Sequence, residues 1–200
     1  MKLKSSLYAA LALVSAVGML PHRALAQATS PVQFSWMPNQ ITASWIYTRE
    51  DYEFSNEPGL PAQRLTLQGA NAEYAYRRWY PWMIDASFRY QKADLLGQKL
   101  LTGAAGVGYV RQFGRYAPYG ELQVGATNTS STDYQYLYTS SQLGLTTLLQ
   151  GGIDVRLGNG LFGVRPVYVE NQYLPFGVQG HQSIYWNIGA GTFIRFEKQP

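Results

Sequence analysis

Apolar and polar residues alternate most clearly at the end of the chain, from Ser183 to Phe196. One set of alternate positions is Ile184, Trp186, Ile188, Ala190, Thr192, Ile194 and Phe196. The other is Tyr185, Asn187, Gly189, Gly191, Phe193 and Arg195. The first set is nearly all apolar. The second carries the small and polar groups, with Phe193 as its exception. A period of two is the signature of a strand. At about 3.3 Å per residue, this one is long enough to cross a bilayer when tilted, which takes about 9–11 residues.

The same period predicts seven earlier strands, over about 40–51, 62–76, 82–91, 99–113, 116–128, 142–157 and 161–171. In the third, Trp82, Ile84, Ala86, Phe88 and Tyr90 oppose Met83, Asp85, Ser87, Arg89 and Gln91. In the sixth, Leu143, Leu145, Leu149, Ile153 and Val155 oppose Gln142, Gln150, Asp154 and Arg156. Glycines at 103, 106 and 108 blur the fourth, whose faces stay unassigned. Gly158-Asn159-Gly160 is a hairpin turn signal. Short connections follow the second, fourth and sixth strands. The longer ones are Tyr52–Pro61, Lys92–Gln98, Thr129–Thr139 and Leu174–His181. An even number of strands with this asymmetry predicts an all-β fold, an eight-stranded antiparallel up-and-down transmembrane barrel.

Composition narrows the picture further. The chain has 200 residues, 16 tyrosines, 20 glycines and no cysteine. Mean hydropathy is −0.20, too low for a helical membrane protein. Two histidines and no cysteine argue against a metal site, and nothing points to a cofactor. The first 26 residues read as a targeting segment. Lys2 and Lys4 precede an apolar run, Leu7 to Leu20, and Ala24-Leu25-Ala26 is a cleavage signal. Residues 27–39 then form a polar lead-in, and 40–200 the barrel. Losing Lys2, Lys4 and Arg23 with the leader lowers the formal charge from +4 to about +1, so no nucleic-acid partner is implied.

Charge placement says which face meets what. Asp85, Arg89, Glu121, Asp154, Arg156 and Arg195 all sit on the polar parity. A lipid-facing Lys or Arg near the bilayer midplane costs about 2–4 kcal/mol. An eight-stranded barrel has an interior just wide enough for side chains to fill. Inward charges must therefore pair, because an unpaired buried charge is expensive. The expected lumen network is Glu73, Asp85, Arg89, Glu121, Asp154, Arg156, Arg165, Glu170 and Arg195. Arg165 and Glu170 have opposite parity with Pro166 between them, which predicts a β-bulge at the proline. Trp45, Trp79, Tyr80, Trp82, Tyr116, Tyr119, Trp186, Phe193 and Phe196 are expected at the membrane interfaces. Arg77 and Arg78 are expected to reach lipid headgroups.

A leader, eight alternating strands and the closing Gly189-Ala190-Gly191-Thr192-Phe193-Ile194-Arg195-Phe196 resemble the small OmpA-like outer-membrane β-barrel family. The resemblance covers the mature chain, although here Phe196 is followed by Glu197 to Pro200. It implies a cell outer-membrane location and a structural or surface-interaction role. It also implies contact with outer-membrane lipid and lipopolysaccharide, and handling by the outer-membrane assembly machinery. No external ligand is named by the loops. One alternative is a lipopolysaccharide deacylase using His181 and Ser183, since a histidine can activate a serine two residues along. Those enzymes continue with Asn where this chain has Ile184, and a polar loop is the preferred reading. A narrow ion pore and a secreted soluble small-ligand barrel are further alternatives.

Overall fold

Alternating strands are stable only if their edges find partners, and a closed barrel leaves no edge. The computed structural model describes residues 37–50, 66–93, 97–133, 138–175 and 183–196. They form eight strands: β1 (Asn39–Glu50), β2 (Thr66–Tyr76), β3 (Trp82–Ala93), β4 (Lys99–Val110), β5 (Tyr116–Asp133), β6 (Tyr138–Leu157), β7 (Phe162–Leu174) and β8 (Ser183–Phe196). Each pairs antiparallel with the next, and β8 closes on β1. The leader, most of the lead-in and His181 lie outside the described residues.

Three tight connections, at 77–81, 111–115 and 158–161, share one end of the barrel, called here the turn end. Gly114, Gly158 and Gly160 have φ of 58°, 52° and 85° there. Such left-handed backbone is available to glycine at little cost. Asn159 Oδ1 accepts from the Leu161 amide at 3.1 Å, tightening the last of these turns.

The strand bounds differ from expectation in one region above all. The segment 129–139 reads as a loop in the sequence, yet the β5–β6 ladder continues to Asp133 opposite Tyr138. Serine, threonine and tyrosine suit a loop by polarity, but Thr and Tyr are also strong strand formers. β4 pairs with β5 only as far as Ser130, and the β6–β7 pairing begins at Thr147 opposite Tyr173. The β5–β6 hairpin therefore rises past these neighbours. β7 likewise runs on to Leu174, whereas β4 stops at Val110, leaving Phe113 in an isolated bridge with Tyr116.

In β7, Pro166 and Val167 both face outward between the inward-facing Arg165 and Tyr168. The register with β8 shifts between Arg165 and Tyr168, and that with β6 between Ile153 and Val155. Two β7 residues thus oppose one residue on each side. The proline sits where its missing N–H breaks no ladder bond, and both Arg165 and Glu170 end inside.

The wall sorts its residues by parity. Trp45, Trp82, Phe88, Leu122, Leu145 and Ile188 are half or more exposed on the outside. In β4, whose faces the sequence left open, Leu101, Val107 and Tyr109 face out while Leu100, Thr102 and Val110 face in. Exposed charges occur toward the strand ends, at Arg49, Lys92 and Lys99 on one side and Arg78 and Arg115 on the other. Between those ends the outward positions of the described strands carry none. From Trp82 to Tyr90 the outward face is wholly apolar. Eight steps of about 3.3 Å at a tilt of about 40° give a belt of about 20 Å, close to the roughly 25 Å apolar band of transmembrane barrels.

Candidate functional site: the charged lumen

The enclosed face is where this chain concentrates its chemistry. All nine charges expected there are buried: Glu73, Asp85, Arg89, Glu121, Asp154, Arg156, Arg165, Glu170 and Arg195. Period-two parity carries seven of them inward on five strands, and the bulge in β7 brings in Arg165 and Glu170.

The network has a hub at Asp154, beside the bulge. Arg165 Nε donates to Asp154 Oδ1 at 2.9 Å. The same guanidinium grips Glu73 through two further bonds, at 2.7 and 3.1 Å. Such bidentate pairs are the strong kind. Arg165 also stacks on the Tyr119 ring, 4.3 Å from its centroid. Arg77 Nη2 and Gln40 Nε2 each donate to Asp154 Oδ2 at 2.9 Å. Arg195 donates from Nε to Gln40 Oε1 at 2.8 Å, with its Nη2 3.8 Å from Asp154. Arg156 donates to the Gly114 carbonyl at the turn end.

Further from the turns, Arg89 pairs with Glu170. Asn187 donates to the same carboxylate at 2.6 Å. Asp85 and Glu121 are different. Both accept from the Gln123 amide, at 2.6 and 3.3 Å, and among the described residues neither is in ion-pair contact with an arginine. Toward the loop end the polar groups are neutral. Gln172 donates to the hydroxyls of Thr102, Thr127 and Thr146 at 3.2, 3.0 and 3.4 Å. Above them Leu67, Ala93, Leu100, Leu174 and Tyr185 cluster.

Several residues stand elsewhere than the sequence suggested. Arg77, expected at the headgroups, is buried and ion-paired with Asp154. It continues the inward parity of Glu73 and Ala75, and that count would have found it. With Arg77 the enclosed acids and arginines number five each. Tyr119 and Phe193, expected at the membrane interface, are both inside. Tyr119 shares its parity with Glu121. Phe193 shares its parity with Arg195 and faces Gly163, where any Cβ would strike the ring. The amides of Gln40, Gln123, Gln150 and Gln172 join the network as neutral members, which a count of formal charge does not single out although Gln150 shares the inward parity of Asp154.

Trp45, Trp79, Tyr80, Trp82 and Tyr116 are exposed on the outer surface, with Trp186 and Phe196 half-buried there. Trp82 packs edge-on against Tyr109 at 5.5 Å. Ser183, the first residue of β8, is buried opposite Leu174. Its suggested partner His181 falls outside the described residues. Among the described residues no group of His, Cys, Asp and Glu is arranged to hold a metal.

No protein-family model and no curated protein matches the chain. Solved structures do. The chain is similar to Neisserial surface protein A, with 13% identity and a TM-score of 0.63 over 80% of this chain and 97% of that one. It is similar also to the outer membrane protein OprG from Pseudomonas aeruginosa, with 13% identity and a TM-score of 0.55 over 80% and 97%. At this identity the likeness is one of fold, that of a small transmembrane β-barrel.

Proposed function

We propose that the protein is an integral outer-membrane β-barrel of structural and surface-interaction type, without catalytic activity. One observation carries the reading. Around a closed barrel most of the large aliphatic and aromatic side chains of the described strands look outward, and ten paired or hydrogen-bonded charges are enclosed. A soluble barrel would gain nothing from exposing Trp45, Leu145 and Ile188 while burying arginines, because exposed apolar surface and buried charge both cost free energy in water. In a bilayer the same arrangement is stable. The fold shared with OprG supports the outer membrane as that bilayer.

In this orientation the three tight turns face the periplasm. The β5–β6 hairpin stands outside, beyond the headgroups, and loops on a rigid scaffold are where binding resides. The immediate surroundings are outer-membrane lipid and lipopolysaccharide. The closing strand through Phe196 is the segment engaged by the outer-membrane assembly machinery. The lumen network is structural and closes the barrel to ions.

Fractionation tests this directly. The protein should resist alkaline extraction from envelope membranes and migrate differently on gels with and without boiling. A freely soluble protein with unchanged mobility would sink the reading. Planar-bilayer recordings should show no steady conductance. A conductance lost on Arg89→Gln would replace the closed lumen with a pore.

A further inference from the structure

The outward face of the wall is uneven on one side. Tyr74, Ala86, Ala105 and Val124 lie in one row across β2, β3, β4 and β5. Two methyl groups therefore stand between two large side chains. Elsewhere large residues stand side by side, as Ile41 and Ile194 do on β1 and β8, and Leu122 and Leu149 on β5 and β6. The missing volume leaves a groove of about 450 Å³, lined by Tyr74, Tyr76, Ile84, Ala86 and Ala105, with Asp85 among them turned into the lumen. Ligand pockets commonly span about 300–1,000 Å³, so this one is large enough to hold part of a molecule.

The two tyrosines do not close over the groove because each is held elsewhere. Tyr74 Oη donates to Asn39 Oδ1 at 2.6 Å, which ties its ring toward β1, on the side away from Ala86. The Tyr76 ring meets Trp79 of the following turn edge-on, with centroids 5.7 Å apart. The groove is thus formed in advance, which lowers the cost of filling it. Two residues beyond Tyr76, toward the turn end, Arg78 is exposed beside the exposed Trp79. Among the described residues no acid pairs with Arg78.

We propose that this groove binds one glycerophospholipid, with an acyl chain lying against Ala86 and Ala105 and the phosphate meeting Arg78. The assignment rests on the membrane orientation given above, which puts the turn end in the periplasmic leaflet. Between lipid tails and an apolar wall, burial of apolar surface gains nothing, so selection has to come from close packing and charge. The groove supplies the first. The guanidinium supplies the second, since its paired donors match phosphate oxygens. A second copy of the chain, inserted in the same orientation, would bring another Arg78 to this level instead of an anion.

The test takes the refolded full-length barrel in an uncharged detergent and counts bound lipids by native mass spectrometry. Phosphatidylglycerol is titrated in one arm and diacylglycerol with the same chains in the other. One saturable phosphatidylglycerol adduct is expected, and none with diacylglycerol. Ala105→Leu should weaken binding at least tenfold by filling the groove, and Arg78→Gln at least fivefold. Ala190→Leu, the same kind of change on the outward face of β8, should alter it less than twofold. Ala86→Leu takes the place of Ala105→Leu if that variant fails to fold, which the change in gel mobility on boiling reports. Adducts that rise without saturating up to about 1 mM lipid, well above micromolar affinity, overturn the proposal. So does equal binding of diacylglycerol, or equal weakening by Ala190→Leu and Ala105→Leu. A dimer that Ala105→Leu abolishes would overturn it too, by giving the groove to a second copy. A barrel that resists alkaline extraction and keeps its heat-dependent mobility, yet shows no such adduct, sinks the lipid site alone and leaves the membrane reading standing.

Discussion

At the turn end of the lumen a carboxylate, Asp154, is held by Arg77, Arg165 and Gln40. At the loop end an amide, Gln172, reaches three threonine hydroxyls. Both arrangements satisfy polar groups enclosed by the same strands. They differ in what happens when a member is lost. A hydroxyl donates and accepts, so Thr102 and Thr127, already 2.9 Å apart, can serve each other. A guanidinium only donates and a carboxylate only accepts, so neither can re-pair with its own kind. The turn end is specified by complementarity that cannot heal, the loop end by groups that can.

The largest effect should therefore come from Arg165. Arg165→Met strips Glu73 of its ion pair and Asp154 of one of its own. Breaking a buried pair this way costs about 3–5 kcal/mol, read as a lower urea midpoint for the barrel in micelles. The companion changes sharpen the point. Adding Glu73→Gln should recover much of the loss, because Glu73 has no second arginine among the described residues. Adding Asp154→Asn should recover less, because it also removes the partner of Arg77. Equal rescue by both would mean that the two carboxylates are not held separately.

A smaller loss tests packing at the same end. Gly163→Ala would drive a methyl into the Phe193 ring, which lies 5.0 Å from the Arg195 guanidinium. Overpacking of this kind costs about 1–3 kcal/mol. Gly103→Ala is the control, since its Cβ would meet nothing within 4 Å. It should leave the urea midpoint unchanged or raise it. If both alanines behaved alike, the inward ring would not be packed as described.

The contrast between the two ends also explains what the sequence could reveal. Parity is local, so alternation is enough to assign faces on most strands and to place seven of the nine charges inside, Arg165 and Glu170 needing the bulge as well. Pro166 was legible for the same reason, since a residue without an N–H between charges of opposite parity has few places to go. Partners are not local. Arg165 meets Glu73 across 92 residues, and Arg77 meets Asp154 across 77. Height along the wall depends on how the eight strands are staggered, which no single strand encodes. Arg77 was misplaced because its neighbour Arg78 invited a reading of the pair as headgroup contacts, although adjacent residues of a strand face opposite ways. Tyr119 and Phe193 were misplaced because an aromatic near a strand end was weighed above its parity. The long β5–β6 hairpin was missed because, clear of the apolar belt, neither face needs to be apolar and the alternation fades.

Two last changes take the comparison to the loop end and past it. Gln172→Leu removes three donor contacts but leaves hydroxyls that can re-pair, so the loss should be about 1–2 kcal/mol, well under that of Arg165→Met. A loss as large as the arginine variant's would show that the neutral layer cannot heal. Ser141→Ala, on the projecting part of β6, removes the 2.7 Å hydrogen bond to Asn128. Both side chains are near solvent, where water replaces the bond, so the effect should stay within about 0.5 kcal/mol. The ordering of Arg165, Gln172 and Ser141 follows from how far each is from anything that can stand in for its partner. If Ser141→Ala were as damaging as Gln172→Leu, the hairpin would have to be part of the cooperative barrel and not an extension of it.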